Sequence, residues 1–249
     1  MTELLEYSDR YSRAALRREG GVLEVRLHNG SGGSLVWDEP AHRELPELFA
    51  DVAHDAANKV IIIAGTGADF CSAQDSSGWP KLVPSTWDKL FTEGRHLLRN
   101  LLDIEVPVIG VVNGPARWHA EILLLSDVVL ASETAVFQDV PHFPYAVPGD
   151  GVHTVWPLLL GPNRGRYFLL TNEEIGAEEA RQLGVVGEVL PADRALPRAW
   201  DLARQLDRHD ALTLKYTRLA LTHRLKRAIL EDLPYGLALE GLAGIGISQ

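Results

Sequence analysis

Residues 106–125 read VPVIGVVNGPARWHAEILLL, and this stretch decides the fold. The apolar, β-branched run at 106–112 is typical of a strand that is buried on both faces. Asn113, Gly114 and Pro115 form a turn signal, after which residues 121–125 indicate a short apolar helix. A buried strand that leads through a turn into a helix is typical of an α/β sheet.

The segments on either side repeat this alternation. Strands or extended segments are predicted at residues 22–27, 34–37, 59–64, 127–131, 134–138 and 185–190. Helical spacing of apolar residues lies between them, at 38–52 and at about 86–102. From residue 152 onward the pattern is mainly helical. This order predicts an α/β core that is followed by a C-terminal helical region.

Charge and cysteine content exclude several classes of function. The 24 Lys and Arg residues stand against 34 Asp and Glu, and a formal net charge of −10 repels nucleic acids and anionic lipid surfaces. A single cysteine, Cys71, cannot form a disulfide within the chain and is too few for a cysteine-based metal site. We therefore expect no nucleic-acid partner and no metal, and a reducing, cytoplasmic environment.

The N-terminus and the apolar runs are informative about targeting. Residues 1–10 carry acids where an export signal needs basic residues before an apolar stretch, so no export signal is expected. The longest apolar runs fall well short of the roughly 20 residues that a membrane-spanning helix needs. The sequence therefore predicts no association with a membrane.

Three longer motifs carry a family resemblance: NKVIIIAGTGADFC at 58–71, PVIGVVNGPA at 107–116 and SDVVLASETAVF at 126–137. With residues 164–171 and 175–190 they resemble the crotonase (enoyl-CoA hydratase/isomerase) superfamily, from about residue 20 to the end. The resemblance implies a crotonase-like spiral of ββα units at residues 1–195 and a C-terminal helical trimerisation region at 196–249. It also implies a homotrimer or a dimer of trimers.

The sequence departs from the hydratases where their chemistry lies. Those enzymes have a glycine-rich loop after Asn-Gly, whose backbone amide helps to form an oxyanion hole, whereas this chain has Arg117, Trp118, His119 and Ala120. Glu121 aligns with one catalytic glutamate of the hydratases. An imidazole, His142, stands where their second glutamate would follow.

A narrower resemblance rests on SLVW at 34–37, HAE at 119–121, FQDVPHFP at 137–144 and VPGDG at 147–151. These motifs resemble the β-diketone hydrolases typified by 6-oxocamphor hydrolase. That resemblance implies hydrolysis of a C–C bond in a cyclic or bicyclic 1,3-diketone, by a retro-Claisen route, to a keto acid. It implies no cofactor, because the second carbonyl of the substrate is itself the electron sink.

The resemblance and the chemistry of the side chains assign roles to five residues. His142 is predicted to be the general base, because an imidazole titrates near the operating pH, and Asp150 is predicted to orient it. Trp37 and His119 are predicted to donate N–H groups to a substrate carbonyl in place of the missing backbone donors. Glu240 matches a glutamate that lines the site, with a role left open between positioning and proton transfer.

Several alternatives stay open. Trp118 and Tyr145 are predicted to bind substrate, but such aromatic residues also pack in cores. Trp37 and His119 could instead be ordinary buried residues without a catalytic role. Asp150 lies between two glycines and could instead serve to form a turn. For the whole chain, the alternatives are a CoA-thioester hydratase or isomerase that uses Glu121, or a catalytically silent subunit with the same fold.

Overall fold

The computed structural model describes residues 3–247, with side chains up to residue 244. The strands are β1 (Ala14–Glu19), β2 (Val22–Leu27), β3 (Leu35–Trp37), β4 (Val60–Gly65), β5 (Cys71–Gln74), β6 (Val108–Val112), β7 (Val128–Ser132), β8 (Val136–Phe137), β9 (Ile175–Gly176) and β10 (Glu188–Leu190). The helices are α1 (Leu4–Tyr7), α2 (Glu39–His54), α3 (Pro84–Asp103), α4 (Glu121–Leu124), α5 (Val152–Leu160), α6 (Pro162–Thr171), α7 (Ala177–Gln182), α8 (Ala192–Asp207) and α9 (Ala211–Ile247). Within residues 3–247, no helix is at once long and apolar enough to cross a membrane.

The main sheet has the strand order β1-β2-β4-β6-β7-β10. All neighbouring strands in it are parallel except β1, which pairs with β2 as an antiparallel edge. Every residue of β4 and β6 is buried, as their β-branched composition predicts for strands that are covered on both faces.

A second layer is built from the short strands. β3 pairs with β5 in parallel, β8 pairs with β9, and Ala116 bridges both Cys71 and Phe137, which links the two pairs. A long strand, a short strand and a helix thus recur as β2-β3-α2, β4-β5-α3 and β7-β8-α5. The predicted spiral of ββα units is confirmed.

The two faces of the main sheet carry separate apolar clusters. One face packs with α2, α3 and α5 around residues such as Phe49, Leu98 and Trp156. The other face packs against α8, which contributes Ala199 and Trp200. Because α8 starts at Ala192 and covers this face, the boundary predicted at residues 195 and 196 falls inside a helix that belongs to the core packing.

Four short elements were not predicted: α1, β1, β5 and β9. In β1 the exposed residues Ala15, Arg17 and Glu19 alternate with buried or half-buried ones at the sheet edge, so the strand lacks a continuous apolar run. β5 has the weakly apolar sequence CSAQ and is half exposed. The strand predicted at 134–138 is shorter in the structure, at Val136–Phe137.

We predict that Gly114→Ala is destabilising, because a Cβ at this position would lie 1.8 Å from the carbonyl oxygen of Ala68. Relieving that overlap should lower the free energy of unfolding by about 1–3 kcal/mol, measured by urea denaturation. Gly176→Ala is the matched control, because a Cβ there meets no atom within 4 Å. Equal losses in the two variants would contradict the prediction.

Candidate active site

A cavity of about 230 Å³ lies between β3, β5, α3, α9 and the loops that precede α4 and α5. Much of its lining is aromatic or aliphatic: Trp37, Trp79, Trp87, Trp118, Leu90, Leu97 and Leu237. Ionisable side chains complete it: His42, His119, His142, Asp150 and Glu240. The structure therefore brings all five residues with predicted catalytic roles to one cavity.

A larger cavity, of about 650 Å³, lies between the turn at 67–69 and the start of α8. It is lined by Arg26, Asp69 and Asp193 but by no histidine. The paired acids and imidazoles lie in the smaller cavity, which is the candidate active site.

His142 is held by two carboxylates, one at each ring nitrogen. Its Nδ1 lies 2.7 Å from Asp139 Oδ1, a hydrogen bond between two buried side chains. Its Nε2 lies 3.6 Å from Asp150 Oδ2, an ion-pair distance. The sequence prediction named Asp150 as the residue that orients His142, whereas the direct hydrogen bond comes from Asp139.

The second imidazole approaches the same carboxylate. His119 Nδ1 lies 2.7 Å from Glu121 Oε1 and 3.4 Å from Asp150 Oδ2. Asp150 Oδ2 therefore lies between the two histidines. Asp150 also stabilises the tight loop before α5, because its Oδ1 accepts a hydrogen bond of 3.5 Å from the N–H of Val152. The predicted alternative of a turn-forming residue therefore also applies to Asp150.

The backbone and the ring of His119 are both constrained. Its φ of 52° lies in the left-handed region that favours glycine, which is uncommon for other residues and clusters at functional sites. The imidazole packs on the Trp37 ring with 3.6 Å between ring centroids. With Nδ1 bonded to Glu121, Nε2 is the ring nitrogen that remains for a ligand.

Glu240 reaches the cavity because α9 passes very close to the loop before α5. A Cβ on Gly149 would lie 2.4 Å from the carbonyl oxygen of Gly236 and 2.7 Å from Glu240 Cβ, so glycine at position 149 permits this approach. Among the described residues, no partner bonds the buried Glu240 Oε2. The C-terminal helix is thus part of the candidate site.

Burial and neighbouring charges shift the pKa values of these groups in opposite directions. Burial lowers the pKa of His142, but Asp150, Asp139 and Glu240 outweigh it and raise the value to about 10. The expectation that His142 titrates near neutral pH is therefore wrong for the free protein. Burial likewise opposes a charged His119, yet Glu121 and Asp150 raise its pKa.

The acids divide into two groups. Burial favours protonation of Asp150, but His142 and His119 outweigh it and lower the pKa of this carboxyl. Burial and the adjacent Asp150 charge raise the pKa of Glu240 to about 8. Burial also raises the pKa of Glu121, against the effect of His119. At neutral pH, Asp150 is a carboxylate and Glu240 is mainly a neutral acid.

One functional candidate, His42, was missed by sequence reasoning, and the contact of another, Asp139, was not foreseen. His42, in the first turn of α2, lines the cavity and its Nδ1 lies 2.9 Å from Glu93 Oε2. A signal existed, because His42 shares the buried face of α2 with Leu45 and Phe49, three and seven residues on. Asp139 lies in the FQDVPHFP motif, but the sequence favoured no catalytic role for it, because its position in a loop does not fix the direction of its side chain.

Of the two aromatic residues that were predicted to bind substrate, the structure places one at the cavity and the other outside it. Trp118 is half-buried and lines the cavity. Tyr145 is 75% exposed and is not among the residues that line it, so its prediction as a substrate-binding residue finds no support. The loop at 143–146 places Ala146 in the wall instead.

Within the described part of the chain, one group of side chains is spaced to share a metal ion. The ligand atoms of His119, Glu121 and Asp150 all lie within 4.8 Å of one another. His119 and Glu121 are already hydrogen-bonded, so an ion would have to replace that bond. Cys71 is buried and burial raises the pKa of its thiol, which disfavours a nucleophilic thiolate.

Comparison with known proteins gives consistent results. The sequence profile described as enoyl-CoA hydratase/isomerase matches residues 17–237. A solved β-diketone hydrolase from the cyanobacterium Anabaena, bound to (S)-3-oxocyclohexyl acetic acid, is 47% identical, covers 98% of each chain and superposes with a TM-score of 0.96.

Two relatives of lower sequence identity have names that refer to CoA substrates. An enoyl-CoA hydratase/isomerase from Mycobacterium paratuberculosis is 25% identical over 94% of each chain, with a TM-score of 0.85. A carnitinyl-CoA dehydratase from Escherichia coli is 30% identical over 196 residues, which are 77% of this chain and 73% of the relative.

We predict that Glu121→Gln lowers the pKa of His119, because removing an adjacent anion disfavours the imidazolium. The titration is followed by NMR of ¹⁵N-labelled histidine, with His119→Gln used to assign the signal. Glu93→Gln is the matched control, because Glu93 bonds His42 and not His119. An unchanged His119 titration in Glu121→Gln would refute the prediction.

Proposed function

This chain belongs to the enoyl-CoA hydratase/isomerase family, and we propose that it uses the fold to hydrolyse a C–C bond in a cyclic or bicyclic 1,3-diketone. The observation that carries the proposal is the pair of imidazoles, His119 and His142, on either side of Asp150 in a tryptophan-lined cavity. Such a site offers fixed donors for a developing oxyanion and a carboxylate for proton transfer.

The substrate class follows from the ligand of the Anabaena relative, which is a ring ketone with an acetic acid arm. Forming a bond between the acid carbon and the ring carbon on the far side of the ketone, with loss of water, gives a bicyclic 1,3-diketone. Hydrolysis of that bond would return the keto acid. We therefore propose a bicyclooctane dione, whose two carbonyls flank one bridgehead carbon, as the first compound to assay.

The reaction needs no electron carrier. Water adds to one carbonyl, and the C–C bond to the carbon between the carbonyls breaks, which forms a carboxylic acid. The electron pair of that bond passes to the second carbonyl as an enolate, which then takes a proton on carbon. The protein has to stabilise two successive oxyanions and to move protons between water, the enolate and its own side chains.

Trp37 and His119 support the first of these tasks. Their rings pack against each other, and both line the cavity. His119 belongs to the segment that replaces the glycine-rich loop of the hydratases. No hydrogen bond engages Trp37 Nε1 among the described residues, so the indole N–H is free to donate. Glu240, protonated at neutral pH, adds a third donor for a substrate oxygen.

A CoA-thioester reaction is the second candidate, because the more distant relatives carry CoA-enzyme names. Glu121 would be its acid or base. In this structure Glu121 is fully buried, is bonded to His119 and does not line the cavity. The geometry therefore favours a role for Glu121 behind His119.

We also propose the homotrimer or dimer of trimers that the family resemblance implies. Several large apolar side chains on α9 are exposed in the single chain: Tyr216, Leu221, Tyr235 and Leu242. Exposed apolar side chains along one helix are typical of a surface that associates. Light scattering measures the mass, and a monomer at micromolar concentration would contradict this part of the proposal.

The deciding experiment is product analysis after incubation of the purified protein with cyclic and bicyclic 1,3-diketones, without CoA and with EDTA present. We expect a keto acid that incorporates one oxygen atom from ¹⁸O-labelled water. Turnover of crotonyl-CoA without turnover of any diketone would establish the second candidate. Turnover of neither class would favour a catalytically silent subunit.

We predict that Trp37→Phe and His119→Gln each lower kcat by about 10²–10³-fold, the usual effect of removing one oxyanion donor. The KM should change less, because the donors act mainly on the charge that develops during the reaction. Tyr145→Phe is the control and should leave kcat and KM unchanged, since this exposed side chain lies outside the cavity wall. Unaltered kcat in both donor variants would contradict their assignment.

A further inference from the structure

His142 has a carboxylate at each ring nitrogen. Asp139 Oδ1 lies 2.7 Å from Nδ1, and Asp150 Oδ2 lies 3.6 Å from Nε2. The side chains of His142 and Asp139 are each only 4% exposed, so water hardly screens their interaction. Asp139 Oδ2 is buried without a partner among the described residues, which makes His142 the one strong contact of this acid.

Two acceptors facing one ring favour a particular protonation state. An ionised carboxylate only accepts hydrogen bonds, and a neutral imidazole has one N–H to donate. Both carboxylates are satisfied only when His142 carries a proton on each nitrogen. The charged and titratable groups that face the ring are Asp139, Asp150, Glu240 and His119, and of these only His119 opposes a positive charge.

We propose that Asp139 is a positioning residue that holds His142 as an imidazolium, and that Asp150 rather than His142 removes the proton from the attacking water. The proposal rests on the proposed hydrolase function and divides the roles within that site. It reverses the general-base role that the sequence predicts for His142. Aspartate and glutamate side chains are among the groups that serve as general bases in enzymes.

The protons balance over one turnover. Asp150 Oδ2 accepts a proton from water as the oxygen bonds to the substrate carbonyl. When the C–C bond breaks, His142 Nε2–H gives its proton to the enolate carbon and becomes a neutral imidazole. The proton on Asp150 then passes across the 3.6 Å gap to Nε2, which restores the starting state. The new carboxylic acid loses its own proton to solvent.

Asp139 affects each of these steps indirectly, by positioning the imidazole ring of His142. Its hydrogen bond to Nδ1 fixes the ring orientation, so that Nε2 faces Asp150 and the cavity. Its negative charge raises the pKa of His142, which keeps the ring protonated in the resting state. Asp139 itself does not line the cavity, so it acts through His142.

The test compares pH profiles of kcat in the wild type and in Asp139→Asn. Both profiles are measured in a Glu240→Gln background, because Glu240 itself loses its proton near pH 8. For an imidazolium donor, kcat in that background is level through neutral pH and falls at alkaline pH as His142 loses its proton. In Asp139→Asn that fall should move down by roughly one to three pH units, because the anion that stabilises the imidazolium is gone. Asp139→Glu, which keeps the charge, should recover most of the shift.

The opposite result has a clear signature. If His142 is the base, the wild-type kcat rises with pH as the ring loses its proton, and Asp139→Asn is more active than the wild type at neutral pH. Either observation overturns the proposal. Asp193→Asn, at an exposed position on α8, is the matched control and should leave the profile unchanged.

A second readout is independent of turnover. In ¹⁵N-histidine NMR spectra, with His142→Gln for assignment, His142 should show both nitrogens protonated at neutral pH in the wild type and a lowered pKa in Asp139→Asn. An unshifted titration refutes the positioning role. If no diketone is consumed, the proposed function fails, while this titration still decides what Asp139 does. If Asp139→Asn does not fold, the wild-type titration and pH profile alone decide the protonation state of His142.

Discussion

The carboxylate of Asp150 lies between the imidazoles of His119 and His142, and the rest of the site depends on this arrangement. A buried carboxylate without a counter-charge costs several kcal/mol, so both rings have to come within ion-pair distance. They come from two different loops, one between β6 and α4 and one between β8 and α5. The packing of these two loops around one cavity brings the rings together.

Charge balance then explains the other acids of the site. Asp139 lies at Nδ1 of His142, on the other side of the ring from Asp150, and it stabilises the positive charge of that ring. Glu121 lies at Nδ1 of His119, the nitrogen that also approaches Asp150, and it stabilises the positive charge of the second ring. Glu240 has no hydrogen-bonded imidazole, and burial together with the Asp150 charge raises its pKa to about 8, which favours the neutral acid at neutral pH. The cluster therefore titrates as one unit, and its apparent pKa values belong to the group of side chains.

The sequence predicted what depends on local pattern or on motif. The β-branched runs of β4 and β6 and the amphipathic α2 and α3 each follow from the residues within one segment. β1 was missed because an edge strand needs no continuous apolar run. Its pairing with β2 depends on tertiary contacts and not on the pattern of its own residues. The five predicted catalytic positions reach one cavity because the motifs around them carry the family pattern.

The hydrogen bonds and ion pairs of His142, which decide the proton-transfer roles, could not be predicted from sequence patterns or motifs. Whether Asp139 or Asp150 bonds His142 Nδ1 depends on how the loop at 138–151 folds back, and both acids are close to His142 in sequence. Tyr145 lies in the same loop, yet its ring points into solvent. Spacing along a loop does not fix direction, because loop residues lack the period that a helix or strand imposes. The division of proton roles in this site is therefore a property of the folded loop, and it can be derived only from distances.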